Sequence, residues 1–404
     1  MDDLASLSCP PKFRAMHTFH NYYSGTSLAS VPLLFVGGNH EASSHLREVF
    51  HGGWIAPNMY YLGAAGAVSF NGIRIAGISG IYKSHDYHKG HFEIPPYNSS
   101  SLRSAYHTRS IEVFQLKALR HADIDVFVSH DWPTGIALKG DLDELLRIKS
   151  FLRKEIADGS FGSPPLADLL DTLEPKYWFA AHMHVKYPAI HTHASGAKTK
   201  FLALDKIRPG GDFLQVVDVE PTTPFEPAHP SEANALCYDP LWMAALKETY
   251  PLMNFTSART QLPTSLPDQP SADAVTAMRD AIVAANGSLA IPANFVRVDP
   301  FAGGVYHPGS PQTVALLALL GIDSPALRAD DYVELSPTGT PSAPPPSLLP
   351  QPPQSLLTPQ QPLPPAPAGP SGRKPLVLPP PVNTSAAPNA DVIHMSASSS
   401  DDEE

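Results

Sequence analysis

The chain has 404 residues, 45 of them Pro, and only two Cys, Cys9 and Cys237. There is room for a core domain of ~200 residues and more; a disulfide framework is excluded, and no apolar run reaches the length of a membrane span. The net charge is −11, yet residues 1–220 carry 21 Lys plus Arg against 22 Asp plus Glu, and the remainder 7 against 17; this excludes a general basic platform for nucleic acid and leaves recognition by a few local cations open.

In chain order, the opening Met1-Asp2-Asp3 lacks the basic region and apolar stretch of a secretory signal, and a reducing compartment is expected. Residues 31–36 (VPLLFV) read as a buried strand, stopped by Gly37-Gly38-Asn39-His40-Glu41. The two glycines also fit a plain turn. A helix is predicted over 41–50. Residues 67–70 and 73–76 read as a hairpin around Asn71-Gly72. Residues 110–120 look helical, with Ile111, Phe114 and Leu119 on the apolar side. Residues 124–128 (IDVFV) read as a second buried strand, leading into Ser129-His130-Asp131-Trp132. Residues 141–156 read as one amphipathic helix, acids early and bases late, as the helix dipole prefers. A further helix covers 166–173. Residues 177–181 (YWFAA) form a third buried strand, ending at His182-Met183-His184. Strands at 200–204 and 213–219 close the core. Beyond Pro221, helices are predicted at 238–249, 272–285 and 313–320, with Pro-rich connections. From 336 the chain turns to Pro, Ser and Gln and ends in Asp401-Asp402-Glu403-Glu404. This tail is expected to be disordered and partly polyproline II. It offers a docking segment for protein partners; the competing reading is a plain solvated tail.

The three strand ends carry the chemistry. In α/β sheets ligands bind beyond the carboxyl ends of strands, so Asn39, His40, His130, His182 and His184 are placed to converge. Imidazole and amide oxygen suit divalent transition ions, and a two-metal site clamps the attacking and leaving oxygens at phosphorus. His182-x-His184 on an extended segment would project both rings to one side. With 18 His in the chain, no single one is diagnostic; three strand-end motifs in this order are.

The order GNHE, His, (G/A)HxH resembles the calcineurin-like metallophosphoesterases. Residues 10–14 (PPKFR), 22–25 (YYSG), 52–58 (GGWIAPN), 77–80 (GISG), 83–87 (KSHDY), 90–93 (GHFE), 95–99 (PPYNS), 129–133 (SHDWP) and 177–186 (YWFAAHMHVK) are similar to the RNA lariat debranching enzymes, densely over 8–220. Residues 235–242 (ALCYDPLW) resemble, more weakly, the start of that family's carboxy-terminal domain. The resemblance implies an α/β fold: a two-sheet metallophosphoesterase sandwich flanked by helices over 1–220, a small, mainly helical carboxy-terminal domain over 221–335, and the tail over 336–404. It implies Asn39, His130 and His182 as ligands of one divalent Fe, Zn or Mn ion and His184 of the other, with His40 assisting the leaving group. The implied activity is hydrolysis of the 2′,5′-phosphodiester at the branch point of excised introns, in mRNA processing, with branched RNA as partner and the nucleus as location. An insertion over 83–109 would cradle that RNA. Lys83, His85, Tyr87, His91, Tyr97, Arg103 and Arg109 supply cations for phosphates and rings for splayed bases; the competing reading is a surface loop whose aromatics pack beneath it.

The departure lies at the amino terminus. The superfamily's Asp-x-His or Cys-x-His strand, and the Gly-Asp strand whose aspartate bridges the metals, are not found before Val31. The sandwich is therefore expected to lack its amino-terminal strands and the two-metal site to be incomplete, with at most one ion held. The expected origin is a longer natural protein, the competing one a truncated product. The alternative function is a catalytically impaired, RNA-binding or splicing-associated form.

Overall fold

A computed structural model describes residues 4–297 and 310–322. The tail over 336–404 lies outside them, as does part of the 221–335 region. The elements run α1 (Phe19–Tyr23), β1 (Leu33–Phe35), α2 (Ser43–Glu48), β2 (Gly53–Ala56), β3 (Met59–Tyr61), β4 (Ala65–Phe70), β5 (Ile73–Ile78), α3 (Ser101–Ser104), α4 (Ser110–Lys117), β6 (Val126–Ser129), α5 (Leu142–Ile148), α6 (Arg153–Ala157), α7 (Pro164–Leu173), β7 (Tyr177–Ala180), β8 (Tyr187–Thr192), β9 (Lys198–Ala203), β10 (Leu236–Tyr238), α8 (Pro240–Thr249), α9 (Ala272–Asn286) and α10 (Pro311–Leu320). Two sheets form: β1-β3-β2, and a seven-stranded sheet ordered β10-β4-β5-β6-β7-β9-β8. Strands β5, β6, β7 and β9 run parallel at its centre. Parallel strands are covered on both faces, which is why β6 and β7 read as near-continuous apolar runs. Their carboxyl ends deliver Ser79, His130 and His182 to the same pole. No described helix is long and apolar enough to cross a membrane.

The main core centres on Trp132, Trp178, Phe127 and Phe201. Trp242, Leu246, Ile282, Leu316, Leu317 and Leu320, from α8 to α10, belong to the same cluster. The carboxy-terminal helices thus complete the main core. Asp239 fixes the start of α8 by accepting from Leu241 N and Trp242 N, and takes the Arg74 guanidinium of β5 at 2.6 Å. The Gln312 amide both accepts from Trp54 N and donates to Trp54 O, each at 2.8 Å, so a side chain satisfies an edge of β2 that a strand would otherwise pair.

The hairpin at Asn71-Gly72 forms as predicted, with both residues at positive φ (47° and 81°), as a two-residue hairpin turn requires. Four expectations change. First, β1 is not buried: Leu33 is 41% exposed, because β1 pairs only with β3. Second, the helix predicted over 141–156 breaks at Lys149 (φ −124°, ψ 62°), and the break lets Leu152, as well as Leu145, reach the core. Third, residues 213–219 form no strand; Leu214 and Val216 stay largely exposed, and β9 already pairs with β7 on one side and β8 on the other. Fourth, the helix expected from 238 begins at Pro240, since Tyr238 belongs to β10.

Candidate active site

The GNHE segment leaves β1 in a turn held from three sides. Ser79 Oγ accepts from Gly37 N at 3.0 Å and donates to Gly63 O. Gly80 N donates to Gly37 O. Glu41 Oε2 accepts from Gly38 N at 2.7 Å and from His40 N. Gly38 has a stricter reason than turn geometry: a Cβ there would lie 2.5 Å from Cε1 of the His130 ring. The His130 loop is braced to the His182 loop, since Ala181 N donates to His130 O and Trp132 Nε1 donates to Ala181 O.

These braces bring the predicted residues together. His130 Nε2 donates to Asn39 Oδ1 at 3.1 Å, and the His130 and His182 rings are 4.7 Å apart, centre to centre. Burial, the largest cause, and the neighbouring His182, His40 and His184 pull the pKa of His130 down to about 3. Burial also lowers His182, with Asp131 opposing, and lowers His184. The rings are therefore neutral and free to bind a cation at neutral pH. His40 is exposed and held by Nδ1–H donating to Ser8 O at 2.8 Å, which leaves Nε2 to the outside.

One expectation about this segment changes. His182 and His184 are not on an extended strand. Both take left-handed backbone conformations (φ 63° and 50°), in a turn where Met183 N donates to Ala181 O. Non-glycine residues rarely accept that region, and such strain gathers at functional sites. His182 is half-buried against His130, while His184 is exposed.

The donor set fits one transition ion. Two ligand atoms on an ion at ~2.1 Å lie ~3.0–3.4 Å apart, which spans the Asn39–His130 separation; the His130 proton would move to Nδ1 to free Nε2, and His182 adjoins them. The carboxylate here is Asp131, which the sequence reading passed over although it follows His130. Burial raises its pKa, and its oxygens already accept from Tyr82 N and Trp132 N. It acts on His182 as a neighbouring charge.

A cleft opens beside Gly38. Glu41 and Arg47 line it from the α2 side; His91, Tyr97, Tyr106 and His107 line it from the 83–109 segment. Arg47 went unnoticed, since nothing in the α2 sequence marks it. Within the segment the predicted contacts divide. Lys83, His85 and Arg103 are exposed, and Lys83 lies near enough to act on Asp131 and His182. Tyr97 faces the cleft. Tyr87 packs against Tyr82 and the core. His91 and Arg109 are corrected: both are buried and used internally. His91 Nε2 meets Glu112 Oε1 at 2.6 Å. Arg109 donates to Asp86 O, Ser104 O and Glu93 Oε1. A loop that includes acids at 86 and 93 consumes its own cations.

The comparisons extend this picture. Residues 11–186 match the calcineurin-like phosphoesterase model, and residues 196–325 the lariat debranching enzyme C-terminal domain. The chain is 47% identical over 319 residues to the lariat debranching enzyme of Gallus gallus, covering 77% of this chain and 57% of that one. It is 46% identical over 320 residues to that of Homo sapiens, with the same coverage. With the lariat debranching enzyme of Arabidopsis thaliana it shares 41% identity over 357 residues, 84% of this chain and 82% of the relative. The chain thus spans little more than half the length of the vertebrate relatives it matches.

Proposed function

We propose that this chain, which belongs to the lariat debranching enzyme family, hydrolyses the 2′,5′-phosphodiester at the branch point of excised intron RNA. The observation that carries the reading is the convergence of Asn39, from the end of β1 in the smaller sheet, with His130 and His182 from the ends of β6 and β7; a cleft partly lined by the 83–109 segment opens beside neighbouring Gly38. Family membership implies a divalent metal; Asn39, His130 and His182 would hold it, with His184 alongside, and the donor chemistry suits Fe, Zn or Mn. When bound, the ion supplies Lewis acidity at the phosphoryl oxygen.

The chain's own residues do the rest. Ser8 O fixes His40 Nδ1–H, so Nε2 can carry a proton outward to the departing alkoxide. Lys83 adds positive charge near His182, and Tyr97 gives an unpaired base a surface to stack on. The exposed faces of Lys83, His85 and Arg103 are left for the RNA arms. On this reading residues 1–220 form the catalytic module and 221–335 the carboxy-terminal one. The nucleus, where introns are excised, is the place of action, and the Pro-rich tail is a docking segment for protein partners.

The test compares a 2′,5′-branched RNA with its linear 3′,5′ counterpart, with Mn²⁺ supplied. Wild type is expected to cut only the branched one. His40→Ala should lower turnover by ~10² or more with metal occupancy unchanged, and His182→Ala should lose both. Equal cleavage of the two RNAs, or full activity in His182→Ala, overturns the proposal.

A further inference from the structure

Two groups of three His and Asp side chains, outside the active-site cluster, place one ligand atom each within 4.8 Å of one another. In the first, His85–Asp86–His107, cations already fill the carboxylate: Lys89 Nζ lies 2.8 Å from Asp86 Oδ1, and Arg109 lies 3.9 Å from Oδ2. That group needs no ion.

The second group is different. Asp171 lies in the last turn of α7 and is 66% exposed at its side chain. His191 lies on the edge strand β8, and His193 just beyond it, where the chain turns into β9. Two positions apart on extended backbone, they face one side, with ring centres 4.6 Å apart. His191 Nε2 is 2.7 Å from Asp171 Oδ1 and His193 Nδ1 is 3.7 Å from it.

The proton inventory of His193 singles it out. Thr199 Oγ1 donates to Pro175 O, so it must accept from His193 Nε2, 2.7 Å away. The neutral ring therefore carries its proton on Nε2, and Nδ1 is a bare lone pair. That atom is buried and has no hydrogen-bond partner. It faces a carboxylate, another acceptor. Two acceptors aimed at one point, with a hydroxyl behind fixing the tautomer, are the arrangement of a metal-binding histidine and its supporting partner.

We propose that Asp171, His191 and His193 bind one transition ion of the Zn²⁺ class, distinct from the active-site ion, which clamps the β8–β9 hairpin to the end of α7. Two imidazoles and one carboxylate suit such an ion, with water as the fourth ligand. A tetrahedral ion with bonds of ~2.0–2.1 Å sets its ligand atoms ~3.3 Å apart, between the two separations observed. His191 moves its proton to Nδ1 to free Nε2. The site lies at the opposite end of the sheet from His182: β9 pairs with His191 at Thr199 and with Tyr187 at Ala203, four residues or ~13 Å along the strand.

The test titrates the untagged full chain with Co²⁺ alone, and then displaces it with Zn²⁺. Visible absorption reports a tetrahedral Co²⁺ ion. One such ion is expected in His182→Ala, where the active-site cluster is broken, and in wild type the same ion together with the one held at the active site. Asp171→Asn and His193→Gln should each weaken the first of these at least tenfold. Asp171 is exposed, so Asp171→Asn should keep the fold even if His193→Gln loosens the hairpin; a thermal melt checks both. Wild-type affinity in Asp171→Asn, or loss of all Co²⁺ binding in His182→Ala, overturns the proposal.

Discussion

Replacing Arg109 by Met tests whether the 83–109 segment is built around an internal staple. The guanidinium is fully buried and donates to Asp86 O at 3.0 Å, Ser104 O at 3.1 Å and Glu93 Oε1 at 2.6 Å. Met fills much of the volume but supplies no donor. Two hydrogen bonds from a charged group are worth ~1.5 kcal/mol each or more. Glu93 is left as a buried carboxylate whose remaining partner is Ser104 Oγ, and breaking a buried pair from one side costs ~3–5 kcal/mol in all. The expected loss is therefore about 3–5 kcal/mol, or a fall in Tm of ~10 °C for a domain of this size. Urea denaturation of Arg109→Met, Glu93→Met and the double variant measures it. If the staple is real, the double variant should be less destabilised than the sum of the two single ones, because no charge is stranded. A loss below ~1 kcal/mol in Arg109→Met, or strict additivity, would refute the reasoning and return Arg109 to the list of RNA contacts.

Other outcomes follow from the same geometry. Gly38→Ala should push the His130 ring aside and lower debranching ~10²-fold with little change in Tm; activity and metal content, measured together, check it. The exposed triple variant Lys83→Ala/His85→Ala/Arg103→Ala should keep the fold and the cleavage of a small activated phosphodiester while weakening lariat RNA binding, with a shallower salt dependence; unchanged RNA affinity would sink the cradle reading. His51 lies against the Phe50 and Tyr250 rings, and burial, opposed by Glu112 and aided by His91, lowers its pKa from 6.5 to about 4. The unfolded chain then binds more protons than the folded one between those values, so this contribution to stability is present above pH 6.5 and falls away, by on the order of 2–3 kcal/mol, as the pH drops towards 4. Denaturation of wild type and His51→Gln from pH 7 to 4.5 should give a flatter profile in the variant, and parallel profiles would contradict the assignment.

The local segments of this fold were legible because neighbouring residues decide them. Residues 177–181 are apolar without interruption and 124–128 are broken only by Asp125, as strands covered on both faces tolerate. Asn71-Gly72 supplies two residues that accept positive φ, so the hairpin is written in two letters. The site motifs were legible for a related reason: each sits at a strand end, two of them at the carboxyl ends of the neighbouring parallel strands β6 and β7, while β1 of the smaller sheet delivers the third.

What required the tertiary structure was every question about partners. Residues 213–219 are as apolar as a strand needs, yet β9 has both its neighbours already, and no pattern in 213–219 records that. Lys149 looks like any position in an amphipathic helix; the break there serves the distant pocket that Leu152 fills. Arg109 and Arg103 are the same residue type six positions apart. One is sealed in by Glu93 and Ser104 and the other faces water, because burial depends on what folds over a residue. Asp131 next to His182, and the bare Nδ1 of His193 facing Asp171, arise the same way. Sequence sets which groups are available and how their own backbone bends, while the meeting of groups from separate strands and helices, and hence the chemistry at their contact, depends on the packing of the whole chain.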